Sequence, residues 1–259
     1  MSMQNTMNRR TALECIVGGM ASAWTLVQTA HAAEKPVVDL GLVIYVLGNR
    51  RSMLKAADSR HDLFEPFTFL DYCHSLGAAG IQASLGTLPI HECERLRSKA
   101  EEYGMFIEGI VGPPFSDAEV KRFEDEIQTA SQVGAKVVRT VIIPGRRYEF
   151  FTSLEQYRES AERGRKALER AKPIVEMYEV RLAVENHKDQ RLDERLALFN
   201  EINSPFIGAC VDVGNSISLL EDPYTVVEAL APHAFTVHLK DQAIQLYEDG
   251  FLLADAALG

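Results

Sequence analysis

Short apolar runs alternate along the chain with longer amphipathic stretches, the pattern of repeated strand–helix units around a parallel sheet. Seven runs predict strands: Asp39 to Leu47, Gly80 to Ser84, Phe106 to Val111, Lys136 to Ile143, Arg181 to His187, Ile207 to Val213 and Phe235 to Lys240. Several, such as Val137-Val138 and Ala183-Val184, are continuously apolar rather than alternating, as strands covered on both faces are. Helical spacing runs over about Pro66 to Leu76, Pro89 to Tyr103, Ser116 to Val133, Ser153 to Tyr178, Arg191 to Ile202 and Pro223 to Leu230. In the longest of these Leu154, Tyr157, Ala161, Leu168 and Ile174 fall near one face, and Pro173 is expected to kink or divide it. Ser116 followed by Glu119 reads as a capping box, and Gly77, Gly104 and Gly134 stand where helices should stop.

An open doubly wound sheet shows the same alternation. The first strand–helix turn, however, lacks G-x-G-x-x-G, and polar residues gather at the carboxyl ends of several strands, where barrel enzymes build their sites. The expected fold is therefore α/β, a (β/α)8 TIM barrel, in one domain over residues 34–259. A length of 259 residues suits it, since such barrels take about 250. After Lys240 the pattern changes: Asp241 to Gly259 reads as a loop or hairpin turning at Asp249-Gly250, with no eighth strand. The barrel is expected to be incomplete at its C-terminus or closed by another segment, because open strand edges are otherwise exposed.

The first 33 residues stand apart. Arg9-Arg10 precedes an apolar run from Cys15 to Ala30, and Ala30-His31-Ala32 offers a small-x-small pattern before a cut at Ala33. This reads as a twin-arginine-type signal peptide over residues 1–33, implying export to the periplasm and no membrane association after its removal. The formal net charge of -10 carries no basic cluster beyond Arg50-Arg51 and Arg146-Arg147, so no nucleic-acid footprint is visible. Of four cysteines, Cys15 falls in the leader, and Cys73, Cys93 and Cys210 are spaced as packing residues rather than a disulfide framework.

Three strand ends carry the candidate chemistry: Glu185-Asn186-His187-Lys188-Asp189, Asp212-Val213-Gly214-Asn215 and His238-Leu239-Lys240-Asp241. On three successive strands Glu185, Asp212 and His238 would point to one axial cavity. Two carboxylates and an imidazole suit a hard or borderline divalent ion, Mn²⁺ first, with Mg²⁺, Co²⁺ and Zn²⁺ as alternatives.

In order and spacing, E-N-H, D-x-G-N and H-x-K-D resemble the sugar phosphate isomerase/epimerase superfamily, the xylose-isomerase-like barrels, over nearly the whole chain after the leader. The resemblance implies Glu185, Asp212 and His238 as metal ligands; the family's fourth ligand, a Glu on the last strand, has no position before Gly259. It also implies a small sugar or sugar-like substrate, isomerised or epimerised by proton abstraction beside a carbonyl through a metal-stabilised ene-diolate. Glu185 would move the proton, Lys240 would neutralise oxyanion charge, and His187, Asn215 and Asp241 would hold substrate. Lys240 with Asp241 reads equally as a structural ion pair. Glu108 reads as a solvated strand-end charge, Arg139 and Arg146 as structural, and His61, His74, His91 and His233 as surface or satisfied core residues.

Other functions remain open at this level. A lyase or dehydratase acting on keto sugars or 3-keto-glycosides would use the same proton abstraction, and a truncated inactive barrel would use none. An endonuclease IV-like phosphodiesterase ranks lower, because Asn215 stands where one of its His ligands is expected and the acidic balance repels DNA. Whether the chain is a homo-oligomer is not legible.

Overall fold

A computed structural model describes residues 39–60 and 62–258. The leader over 1–33, its cut at Ala33 and His61 lie outside the described residues. Seven parallel strands form one sheet in sequential order: β1 Gly41–Val43, β2 Gly80–Ala83, β3 Phe106–Ile110, β4 Val137–Thr140, β5 Arg181–Glu185, β6 Ile207–Asp212 and β7 Ala234–His238. The crossovers carry α1 Gly48–Ala57, α2 Pro66–Ser75, α3 Ile90–Tyr103, α4 Val120–Gln132, the single turn α5 Arg147–Phe150, α6 Leu154–Met177, α7 Leu192–Ile202 and α8 Pro223–Leu230. Among the described residues no helix is long and apolar enough to cross a membrane.

Partners across a parallel pair face the same side, and side chains alternate at period two along each strand. The registers Gln82↔Glu108, Ile110↔Arg139, Arg139↔Ala183, Glu185↔Cys210 and Asp212↔His238 therefore assign one face of the sheet to Gln82, Glu108, Arg139, Glu185, Cys210, Asp212 and His238. The opposite face, with Ile81, Ile107, Val138, Leu182, Val184 and Val211, is buried beneath helices in the main apolar core. The polar face is the concave one. His238 on β7 reaches Gln82 on β2, and Thr236 on β7 reaches Glu108 on β3, so the sheet curls until its last strand touches its second and third across the interior.

Toward the amino ends of the strands the concave face turns apolar. Val137, Ala183 and Cys210 cluster there with Phe235. Phe235 is the extra residue of an irregularity in the β6–β7 register, where Ala209 pairs with Ala234 but Cys210 with Thr236. Gly208 makes room for it, because a Cβ at 208 would collide with the His233 carbonyl and stand 2.8 Å from the Phe235 ring. Phe106 covers Gly41 and Gly80 in the same way.

The helix ends follow the sequence. Ser116 and Glu119 form the reciprocal capping box, here opening a 3-10 turn, Asp117–Glu119, before α4. Gly77, Gly104 and Gly134 adopt positive φ. Three expectations need correction. The run Asp39 to Leu47 is strand only over Gly41–Val43; Ile44–Leu47 turns as a 3-10 helix into α1, and Tyr45 and Val46 are exposed rather than sheet-covered. The strand expected over Lys136 to Ile143 is confined to Val137–Thr140. Pro173 does not divide α6, because Leu168, Ala171, Ile174 and Val175 are buried on both sides of it and hold the helical course.

Asp241 onward folds as the expected hairpin, β8 Asp241–Tyr247 and β9 Gly250–Ala256. Tyr247 pairs with Gly250, so the turn itself is Glu248-Asp249, one residue earlier than the sequence suggested.

Because the clash at Gly208 is partly with backbone, Gly208→Ala is expected to cost about 1–3 kcal/mol of stability. Urea unfolding of the variant against the parent chain measures it; an unchanged midpoint would mean that Phe235 does not pack there.

Candidate active site at the carboxyl ends of the strands

Glu185 closes β5 at 3% exposure. Both Nε and Nη2 of Arg139, on the adjacent strand β4, lie against its Oε2, with neither side chain exposed. Its other oxygen, Oε1, accepts from Asn215 Nδ2 at 3.3 Å and faces His238 Nδ1 at 3.6 Å. Burial pushes the Glu185 carboxyl up, but a protonated His238 facing it and the charge of Arg139 outweigh that and leave it at about 2. Glu185 is thus an anion at any ordinary pH.

The turn after β5 is fixed from within. Asp189, completely buried, receives Arg195 Nη2 from α7 at 2.8 Å and the backbone N–H of His187 at 3.0 Å, while the same Arg195 nitrogen donates to the Glu185 carbonyl. Asn186 clamps the neighbouring strand. It accepts from the Asp212 N–H at 2.8 Å and donates to the Asp212 carbonyl at 2.9 Å. The E-N-H signature is therefore one buried, ionised carboxylate followed by one strand-end clamp.

Asp212 follows a different course from Glu185. Its Oδ1 accepts the backbone N–H groups of Gly214 and Asn215 at 3.0 and 2.9 Å, and its Oδ2 lies 3.3 Å from Lys240 Nζ. Lys240 also donates to Asn215 Oδ1 at 3.0 Å and stands 3.8 Å from Asp255 on β9. The alternative Lys240–Asp241 ion pair does not form. Asp241 is exposed and accepts only from the N–H of its neighbour Gln242, so it is not brought into the cluster.

Of the three proposed ligands, two converge. Glu185, His238 and Cys210 each offer an atom within 4.8 Å of the others; Asp212 is not in that group, its oxygens being held by the loop and by Lys240. Cys210 was expected only to pack, and burial, followed by the charge of Glu185, pushes its thiol well above the ordinary range. His187 is half-buried with Nδ1 unpaired, and burial lowers its pKa.

Sequence reasoning missed the far side of the cavity. Glu108 is half-buried, not solvated: Oε2 accepts from Gln82 Nε2 at 2.8 Å and from Thr236 Oγ1 at 3.0 Å. Burial raises its pKa against those bonds. Arg139 is structural, as expected, but in the sense that it balances Glu185, and the Tyr45 ring lies 5.5 Å from its guanidinium carbon. The signal available was phase: Gln82, Glu108 and Arg139 are polar residues inside short apolar strands, where only a polar interior or solvent could receive them.

A carboxylate oxygen, an imidazole nitrogen and a sulfur suit a borderline divalent ion, and His238 Nδ1 has no hydrogen-bond donor among the described residues. In this respect the donor set of Glu185, His238 and Cys210 fits a metal.

The model of the xylose isomerase-like TIM barrel family matches residues 70–250. The chain belongs to that family. An 89-residue stretch, 34% of the chain, is 34% identical to 3-oxo-isoapionate decarboxylase of Pectobacterium atrosepticum and covers 32% of that protein, so the match spans about a third of this relative. Among solved structures, the probable 3-DHS dehydratase AsbF of Bacillus anthracis aligns with a TM-score of 0.59 at 17% identity, over 80% of this chain and 74% of that one. The 3-keto-D-glucoside 4-epimerase YcjR of E. coli aligns with a TM-score of 0.57 at 13% identity, over 68% and 74%. At such identities these likenesses concern the fold alone.

Two predictions follow from the electrostatics. Arg139→Met leaves Glu185 as an uncompensated buried charge and is expected to destabilise by about 3–5 kcal/mol, whereas Arg139→Met with Glu185→Met removes both charges and costs less; a double-mutant cycle in urea reads the difference. For His187 the folded pKa lies below the ordinary 6.5, so its contribution is present above that pH and is lost as pH falls through the folded value. His187→Asn should flatten the fall in unfolding midpoint between pH 8 and 5, and an identical slope in both proteins would refute the burial of a neutral imidazole.

Proposed function

We propose that this chain is a divalent-metal-dependent isomerase or epimerase of a free sugar, keto sugar or related hydroxy acid. The observation that carries this reading is the convergence of Glu185 and His238, from strands five and seven, beside Cys210 at the carboxyl ends of a xylose isomerase-like barrel. Glu185 Oε1, His238 Nδ1 and the Cys210 sulfur would hold the ion, with Asp212 as the neighbouring carboxylate. When bound, the ion would supply Lewis-acid polarisation of a substrate oxygen.

The remaining work falls to side chains. Glu185 is held ionised and takes the proton from carbon beside the carbonyl. Its low basicity is offset by position: Arg139 occupies Oε2 and fixes the rotamer, leaving Oε1 toward the cavity. Lys240, anchored on Asn215 and Asp212, places a positive charge where the abstracted electron pair accumulates on oxygen. His187, half-buried and with Nδ1 unpaired, is available to a substrate hydroxyl.

A lyase or decarboxylase is the second reading, favoured by a relative 34% identical over 89 residues, a decarboxylase by name. Both reactions pass through loss of a group next to a carbonyl and differ in whether hydrogen or a carbon substituent leaves.

The test is solvent exchange. The chain, stripped of metal and reloaded with Mn²⁺, should introduce deuterium from D2O at the carbon beside the carbonyl of keto sugars, followed by proton NMR. Stripping should abolish exchange, and Glu185→Gln should lower it by about 10²–10⁴-fold. Exchange that persists in that variant would remove Glu185 from the role, and loss of carbon dioxide from keto sugar acids without exchange would favour the second reading.

A further inference from the structure

Gln82 stands between Glu108 and His238 and touches both. Its Nε2 donates to Glu108 Oε2 at 2.8 Å, and its Oε1 lies 2.8 Å from His238 Nε2. A primary amide has one donating and one accepting end, so its two contacts cannot be exchanged independently. Glu108 Oε2 is committed as an acceptor, because it also receives the Thr236 hydroxyl at 3.0 Å. Rotating the Gln82 amide by half a turn would place its oxygen against that carboxylate oxygen and forfeit the bond. The NH2 end therefore faces Glu108 and the carbonyl end faces His238. A carbonyl oxygen accepts only, so the proton on that side of the imidazole must sit on Nε2.

We infer that Glu108 and Gln82 act as a positioning pair that holds His238 in the Nε2–H tautomer and turns the Nδ1 lone pair toward Glu185 and Cys210. When the ring is neutral, Nδ1 then faces Glu185 Oε1 at 3.6 Å with no proton of its own. Two acceptors at that separation repel unless a metal ion or a second ring proton lies between them. The pair thus leaves the Nδ1 side open to either. Neither Gln82 nor Glu108 touches the Glu185 carboxylate, and Gln82 is 5% exposed, buried on the opposite wall. That a ring nitrogen directed at a metal has its tautomer set by the hydrogen bond at the other nitrogen is a general requirement of imidazole ligation.

This inference rests on His238 as a cation ligand, the reading proposed above, but its first readout needs no metal. Nitrogen-15 NMR of the metal-free full chain at pH 8 distinguishes pyrrole-like from pyridine-like ring nitrogens of each histidine, with His238→Gln assigning the signal. The expected result is one tautomer, pyrrole-like Nε2 and pyridine-like Nδ1. Gln82→Met, which keeps the length and loses the acceptor, and Glu108→Gln, which lets the Gln82 amide turn either way, should each give a mixture. Their far-ultraviolet circular dichroism should match the parent's. The second readout is calorimetric titration with Mn²⁺ or Co²⁺, in which both variants should bind about 10–100-fold more weakly than the parent.

An Nδ1–H tautomer, a mixture, or a doubly protonated ring in the parent at pH 8 would overturn the inference. So would a single unchanged tautomer in both folded variants. The parent failing to bind either ion would instead overturn the proposed function, while the NMR result still decides the tautomer.

Discussion

The compensation of one buried negative charge organises this molecule. A carboxylate taken from water into a protein interior is tolerated only when opposite charge and hydrogen bonds replace its hydration. Glu185 receives Arg139 on one oxygen, and Asn215 with His238 on the other. Each partner comes from a different strand end, so balancing Glu185 constrains β4, β5, β6 and β7 together. The same requirement repeats on a smaller scale at Asp189, whose charge is met by Arg195 and which locks the turn leaving β5.

Much of the architecture was legible because burial on two faces leaves a strong mark in sequence. Strands such as Leu182-Ala183-Val184 have one side under helices and the other inside the curl, so they read as continuous apolar runs ending in a charge. Edge β1 was misjudged for the complementary reason: it has a partner on one side only, and Tyr45 and Val46 are apolar without being covered. Hydrophobic character reports what a residue prefers, and at an edge that preference is not met.

The site divides along a similar line. Glu185 and His238 were found because each interrupts an apolar run at its end. Asp212 does so too, but backbone donors in the next three residues capture one of its oxygens, a local competition that spacing alone does not reveal. Glu108 and Gln82 lie within strands, and their partners are 128 and 156 residues away on β7. Nothing local announces a contact made across the interior of a curled sheet. It follows only once parity and register have placed these residues on one concave face.

The protein carries a formal net charge of -10, and at the strand ends Arg139 is matched by Glu185 and Lys240 by Asp212, whereas Lys188 has no ion pair among the described residues. Lys188 is 8% exposed at a positive φ of 64°, and its pKa falls first through burial and then through Lys240. A long cationic side chain held buried, in a backbone conformation that favours glycine, costs stability and gains no ion pair in return. Such an arrangement is favourable when negative charge arrives, whether on a substrate or as an electron pair displaced onto oxygen. An acidic exterior excludes polyanions at long range, while a few fixed cations in a low-dielectric cavity act strongly on a small anion at contact.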